Sequence, residues 1–148
     1  LALSEFIALK EKTYHRQAPL FPGVKQGLKT LHDRGVRLGI VTNQIKQASI
    51  NALNEHEILH LFDIVIAIED VPEGKPSPEG ILRALQFMET GINAAGMVGD
   101  SRADLLAAHN AGVDSYLLTW DDPDVHAKQY NPSYICVNFA ELLHVVFE

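Results

Sequence analysis

The stretch "AAGMVGDSRADLLAAHNAGV", residues 94–113, holds one complete strand-to-helix unit. Its first seven residues are apolar up to Asp100 and read as a strand. The spacing after that predicts a helix near 102–111, with Gly112 as its stop. Asp100 and Ser101 suit the cap of this helix, and Asp104 in its first turn suits the helix dipole. The same unit recurs on both sides. Upstream, "PGVKQGLKTLHDRG" (22–35) reads as a helix with Leu28 and Leu31 inward and Gly35 as its end, followed by the strand "VRLGIVT" (36–42). A helix near 45–55, the strand "DIVIAIED" (63–70) and a helix near 78–89 opened by Ser77-Pro78 come next. Downstream lie the strand "DSYLLTW" (114–120), a short strand "SYICV" (133–137) and a last helix with a capping box of Asn138 and Glu141. Apolar strands alternating with amphipathic helices predict an α/β, Rossmann-like three-layer sandwich with a mostly parallel sheet. Residues 1–15, "LALSEFIALKEKTYH", place Leu3, Phe6, Ile7 and Tyr14 on one face of a further helix, closed off by Pro19 and Pro22.

Composition narrows the function classes. The 148 residues are 47% hydrophobic and 21% charged, which suits one globular domain with a sizeable core. A net charge of −7 without a basic run argues against nucleic acid or an anionic membrane as the main partner. No apolar stretch approaches the roughly 20 residues needed to cross a bilayer. The single cysteine, Cys136, sits in an apolar run and reads as a buried, inert thiol, so a reducing cytoplasm is the expected location.

One motif points to zinc. "HEILH", His56 to His60, matches H-E-x-x-H, which on a helix sets two imidazoles one turn apart around a metal, with Glu57 as general base. The helix stripe Ile45, Ala48, Ala52, Leu53 gives way to a continuous apolar run, however, so the helix is expected to end within the motif. Asp63 and Ile66 stand where an extended zinc motif needs Gly and His, and Glu79 follows a separate loop. A solvated helix end is therefore the expected reading, and a zinc hydrolase the weakest alternative.

A second constellation lies at the carboxyl ends of the strands, where open parallel sheets bind ligands. Thr42-Asn43 ends one strand, Lys75 follows another in "EDVPEGKPSPEG", and Asp100 and Asp104 end the third in "GDSRAD". Taken singly, Thr42 or Asn43 reads equally as a helix cap, Lys75 as a solvated loop lysine, and Asp100 and Asp104 as helix-start residues. Together they suit a dianion and a divalent metal.

In order and context, "LFPGV…LHDRGVRLGIVTNQ", "EDVPEGKPSPEGILRAL" and "MVGDSRADLLAAHNAGV" resemble the second, third and fourth motifs of the haloacid dehalogenase superfamily. The likeness is strongest to its phosphoglycolate-phosphatase-like branch. The resemblance implies phosphoryl transfer to an aspartate and then to water, with Mg2+ and a small phosphorylated substrate. It implies that Thr42 and Asn43 hold the transferring phosphoryl oxygens and that Lys75 offsets charge. Asp100 would ligate the metal, with Asp104 supporting Lys75 or the metal's outer shell. The family's first motif, an aspartate nucleophile in D-x-D after the first strand, does not precede the second motif here. The one D-x-D, Asp122-Pro123-Asp124, comes after the fourth motif and reads as a surface loop.

The expectation is thus a core lacking its first, central strand, with residues 1–16 as the last helix of a truncated helical cap and residues 17–148 as the core. Such a fragment should be inactive, while its parent is a Mg-dependent phosphatase. Its bare strand edges should either pair with each other or recruit a strand from a second copy. The main alternative is a non-catalytic binding or assembly domain, which a start codon next to Leu1 would favour. A haloalkanoate dehalogenase is a weaker one, because an acidic metal ligand would be surplus there.

Overall fold

The computed structural model describes residues 6–9, 23–120, 122 and 126–148. Strands β1 (Phe6–Leu9), β2 (Leu38–Val41), β3 (Ile64–Ile66), β4 (Ala95–Gly99), β5 (Asp114–Leu118) and β6 (Tyr134–Cys136) form one sheet in the order β3-β2-β1-β4-β5-β6. Every pairing is parallel. Helices α1 (Val24–Asp33), α2 (Lys46–Glu55), α3 (Glu79–Phe87), α4 (Arg102–Ala111) and α5 (Phe139–Phe147) connect or follow the strands, with short 3-10 turns at 59–61, 68–70, 92–94 and 126–130.

Strand alternation divides the core. Leu38, Ile40, Val98, Tyr116 and Leu118 pack with Leu28 and Leu31 of α1, Leu53 of α2 and Leu142 of α5 on one face. Val41, Ile66 and Met97 pack with Ile81 and Leu85 of α3 and Ala107 and Ala108 of α4 on the other. Strands β2 and β4 are buried along their whole length, because a central parallel strand is covered by helices on both faces. Local chemistry sets the helix ends where the sequence predicts them. Gly35 and Gly112 adopt left-handed φ values of 85° and 78° after α1 and α4. Asn138 Oδ1 accepts the Glu141 N–H at 2.9 Å to start α5. Cys136 is fully buried, and its thiol is pushed up to about 11, by burial first and by Glu141 second.

The N-terminal segment departs from expectation. Phe6–Leu9, placed by its spacing on a helix, is a strand at the centre of the sheet, with Ile7 opposite Leu38 on one side and Gly96 on the other. Four consecutive apolar residues fit either period, so the pattern alone cannot decide. What decides is the slot between β2 and β4, whose backbone N–H and C=O groups need partners on both inner edges. The slot is filled by Phe6–Leu9 rather than closed by direct pairing of β2 with β4. The other residues of the expected cap helix, Leu3 and Tyr14 among them, lie outside the described residues, as do Pro19 and Pro22. Among the described residues, no helix is long and apolar enough to cross a membrane.

Candidate active site

Because every strand runs the same way, the segments that leave β2, β3 and β4 emerge on one rim. Thr42, the residue after β2, is buried. Its N–H bonds to Ile66 O at 3.0 Å, and its Oγ1 accepts the Gln44 N–H at 3.0 Å in a tight local turn. Neither Thr42 nor Asn43 caps α2: the cap position is Ile45, which offers no side-chain acceptor. Asn43 instead reaches across to the loop after β3. Its Oδ1 accepts the Lys75 N–H at 2.9 Å and its Nδ2 donates to the Lys75 carbonyl at 3.1 Å. The side chain thus pairs with Lys75 as a neighbouring strand would. Gly74 permits this contact, since a Cβ there would stand 2.5 Å from Asn43 Oδ1.

Lys75 is not a solvated loop lysine. Its side chain is 3% exposed, and Nζ donates to Asp104 Oδ1 at 2.8 Å, with the Asp104 side chain 1% exposed. The second oxygen of Asp104 is also engaged. Oδ2 accepts from Ser101 Oγ at 2.9 Å, from the Asp100 N–H at 3.2 Å and from the Ser101 N–H at 3.3 Å. In return, Ser101 Oγ accepts the Asp104 N–H at 3.4 Å, closing a reciprocal cap on α4. The bend is possible because position 99 is glycine, where a Cβ would lie 2.4 Å from Asp104 Oδ2. Asp104 therefore joins the Lys75 ammonium to the backbone that presents Asp100. Asp100 is half-buried at the end of β4, with Oδ1 of its carboxylate buried.

The donor set accommodates a hard divalent cation in one way. Among the described residues no three His, Cys, Asp or Glu side chains converge as a cage. Magnesium does not require one, because it takes one or two carboxylates and completes its shell with water and substrate phosphate. Asp100 fits that role. Asp104, with both oxygens committed to Lys75 and to the 100–101 backbone, does not offer a free ligand.

Further residues shape this rim that sequence reasoning did not single out. Asn110 of α4 donates from Nδ2 to the Pro76 carbonyl at 3.0 Å, beside the cis peptide that joins Lys75 to Pro76. Glu69 Oε1 accepts the Lys46 N–H at 2.8 Å, and Asp70 Oδ2 accepts from Lys46 Nζ at 2.6 Å and from the Ala67 N–H at 2.9 Å. The carboxyl of Asp70 is held below its ordinary range. Burial is the largest single influence and acts upward, but the Lys46 ammonium, the Ala67 N–H and the Arg83 guanidinium together outweigh it. Their one signal in the sequence is an acidic pair at the end of the apolar run 63–70, which is too common to read.

The zinc alternative fails on geometry. Helix α2 ends at Glu55; His56 is its C-cap, Glu57 has a left-handed φ of 57°, and His60 lies in a separate 3-10 turn. The one-turn spacing of two imidazoles on a single helix is therefore lost. Glu57 is 82% exposed beside Lys25. Zinc titration by calorimetry is expected to show no site that His60→Ala abolishes; a tight one-to-one site lost in that variant would restore the peptidase reading. Of the D-x-D stretch, Asp122 is exposed and its N–H bonds to Thr119 O at 2.9 Å, while Asp124 lies outside the described residues.

Comparison with known proteins converges on the same rim-bearing fold. The pyrophosphatase PpaX of Halalkalibacterium halodurans is 32% identical over 130 residues, covering 85% of this chain and 59% of the relative. The phosphoglycolate phosphatase of Vibrio cholerae is 35% identical over 140 residues, covering 92% of this chain and 61% of the relative. The chain thus spans about three fifths of the length of these relatives. The crystal structure of a predicted phosphoglycolate phosphatase from Haemophilus somnus superimposes with a TM-score of 0.80 at 30% identity, over 86% of this chain and 57% of that one. A family model described as haloacid dehalogenase-like hydrolase matches residues 3–118. With that match covering most of the sequence and the sheet arranged as described, the chain belongs to the haloacid dehalogenase-like hydrolase family.

Proposed function

We propose that the protein is a magnesium-dependent phosphatase for a small phosphorylated metabolite of the phosphoglycolate type, working through an aspartyl-phosphate. The observation that carries this reading is the buried Lys75–Asp104 pair, set on the rim that Thr42, Asn43 and Asp100 share. A protein with a net charge of −7 does not bury an ammonium at a strand-end crevice for general solubility. Phosphoryl transfer is chiefly positioning and charge stabilisation, and these residues supply both.

In the proposed reaction a carboxylate oxygen attacks phosphorus, the alcohol oxygen leaves with its electron pair, and water then hydrolyses the acyl phosphate to inorganic phosphate. Lys75 stabilises negative charge on the phosphoryl oxygens, and Thr42 and the backbone beside Asn43 orient them. The Asn43 side chain holds Lys75 in place. Asp104 keeps the ammonium oriented and fixes the backbone of Asp100, which would hold the metal. Magnesium, when bound, would neutralise phosphoryl charge that lysine alone leaves uncompensated.

The nucleophile is proposed to lie outside these 148 residues, because β1 reads Phe-Ile-Ala-Leu and no D-x-D precedes Thr42. Residues 1–148 alone should then be inactive. The test is hydrolysis of p-nitrophenyl phosphate by a longer form in which a D-x-D strand takes the place of β1 between β2 and β4. Activity should vanish with a chelator and return with magnesium. Turnover that a chelator leaves untouched would overturn the metal assignment. Phosphate binding without turnover in that longer form would favour the binding-domain alternative.

A further inference from the structure

Three contacts tie the loop between β3 and α3 to the segment after β2. Ile68 N–H bonds to Gln44 O at 3.1 Å, Lys46 engages Glu69 and Asp70, and Asn43 pairs with Lys75. The middle contact is the odd one. Lys46 uses two different groups, its backbone N–H on Glu69 and its ammonium on Asp70, so that one residue grips two neighbouring carboxylates. The N–H is one of the unpaired donors in the first turn of α2, and Glu69 supplies the cap that Ile45 lacks. Arg83 of α3 donates to the Asp70 carbonyl and fastens the same turn from its other side.

Stability is a poor explanation for this arrangement. The side chains of Lys46 and Asp70 are 39% and 29% exposed. Pairs this open to solvent contribute little to folding. Their position is more telling. Asp70 opens the loop and Lys75 closes it, and between them lie Val71, Pro72, Glu73 and Gly74. The far end of the loop is pinned by Asn43 and Asp104; without the Lys46 ammonium, the near end would keep Glu69, Ala67 and Arg83 but lose the ionic contact between Asp70 and α2.

We propose that Lys46 is a positioning residue, which fixes the start of the loop against α2 and so sets where Lys75 stands on the rim. Its importance for catalysis rests on the phosphatase reading; its effect on the loop does not. Phosphoryl transfer is sensitive to misplacement of a charged group by fractions of an ångström, so a modest loosening should appear in turnover before it appears in stability.

Two measurements separate the parts of this claim. In Lys46→Met, which keeps the apolar stem, amide exchange at Ile68, Asp70 and Lys75 should accelerate by about threefold while amides of β4 and α4 stay unchanged. Lys46→Arg should restore protection, and Asp70→Asn should reproduce the methionine variant from the other side. In the active form, Lys46→Met should lower kcat by about tenfold with KM nearly unchanged. Raising ionic strength should speed amide exchange at Asp70 in the wild type more than in Lys46→Met, since the pair is open to screening. Unchanged exchange at Lys75 in Lys46→Met, or an arginine variant as impaired as the methionine one, would overturn the proposal. Exchange is read without substrate, so it tests the role of Lys46 even if no phosphate ester is hydrolysed.

Discussion

Asp104→Ala should lower folding stability by about 3–5 kcal/mol, the effect expected when one member of a buried ion pair is removed. The Lys75 ammonium would be left in a site where its side chain is 3% exposed, with no anion at 2.8 Å. The same truncation removes the acceptor of the Asp100 N–H, the Ser101 N–H and the Ser101 hydroxyl. Urea unfolding at constant slope measures the loss. Asp104→Asn should lose less, because the amide oxygen can still accept. The double variant Lys75→Met, Asp104→Leu should recover much of the deficit, since a desolvated pair replaced by apolar side chains no longer carries an isolated charge. A loss below about 1 kcal/mol in Asp104→Ala would mean that Lys75 swings out to water, and that the pair is a surface pair in solution.

The second large effect is on turnover. In a form carrying the nucleophile, Lys75→Ala and Asp100→Asn should each reduce kcat at least about a hundredfold, because each removes charge stabilisation made in the transition state. The two should differ in their metal response. Asp100→Asn should need more magnesium for half-maximal rate, whereas Lys75→Ala should not. Both variants need a circular-dichroism check, as Lys75→Ala leaves the Asp104 carboxylate buried without its cation. Full activity in either would move the site elsewhere.

The alternation of strands and helices was legible because each strand from β2 to β5 is a short apolar run with its own stop. The rim could be found for the same reason. Thr42, Lys75 and Asp100 are polar residues directly after apolar strands or in the loop that follows one, and a parallel sheet brings such positions together whatever the details. Pairings between segments were not legible. Nothing local to Asn43 says that its amide will bond the backbone of a residue 32 positions on. Lys46 reads as an ordinary first-turn lysine until Asp70 is beside it. The identity of β1 is the strongest case, since Phe6–Leu9 fits a helix stripe and a strand equally well. Its state is set by edges contributed by residues up to about ninety positions away.

That distance has a consequence for how the molecule assembles. β1 is the one strand that joins β3-β2 to β4-β5-β6, and its register with β4 closes a loop from Phe6 to Ala95. Each half can gather locally, β2 with β3 through α2, and β4 with β5 through α4, because their pairings span short stretches of chain. The seam between the halves is a long-range contact with a large closure entropy, and such contacts form late. Only the pairing of β1 with β4 is long-range; its pairing with β2, Ile7 opposite Leu38, is about as local as that of β2 with β3. In the finished molecule the same two halves are also joined by the packing of α1 on α5 and of α3 on α4.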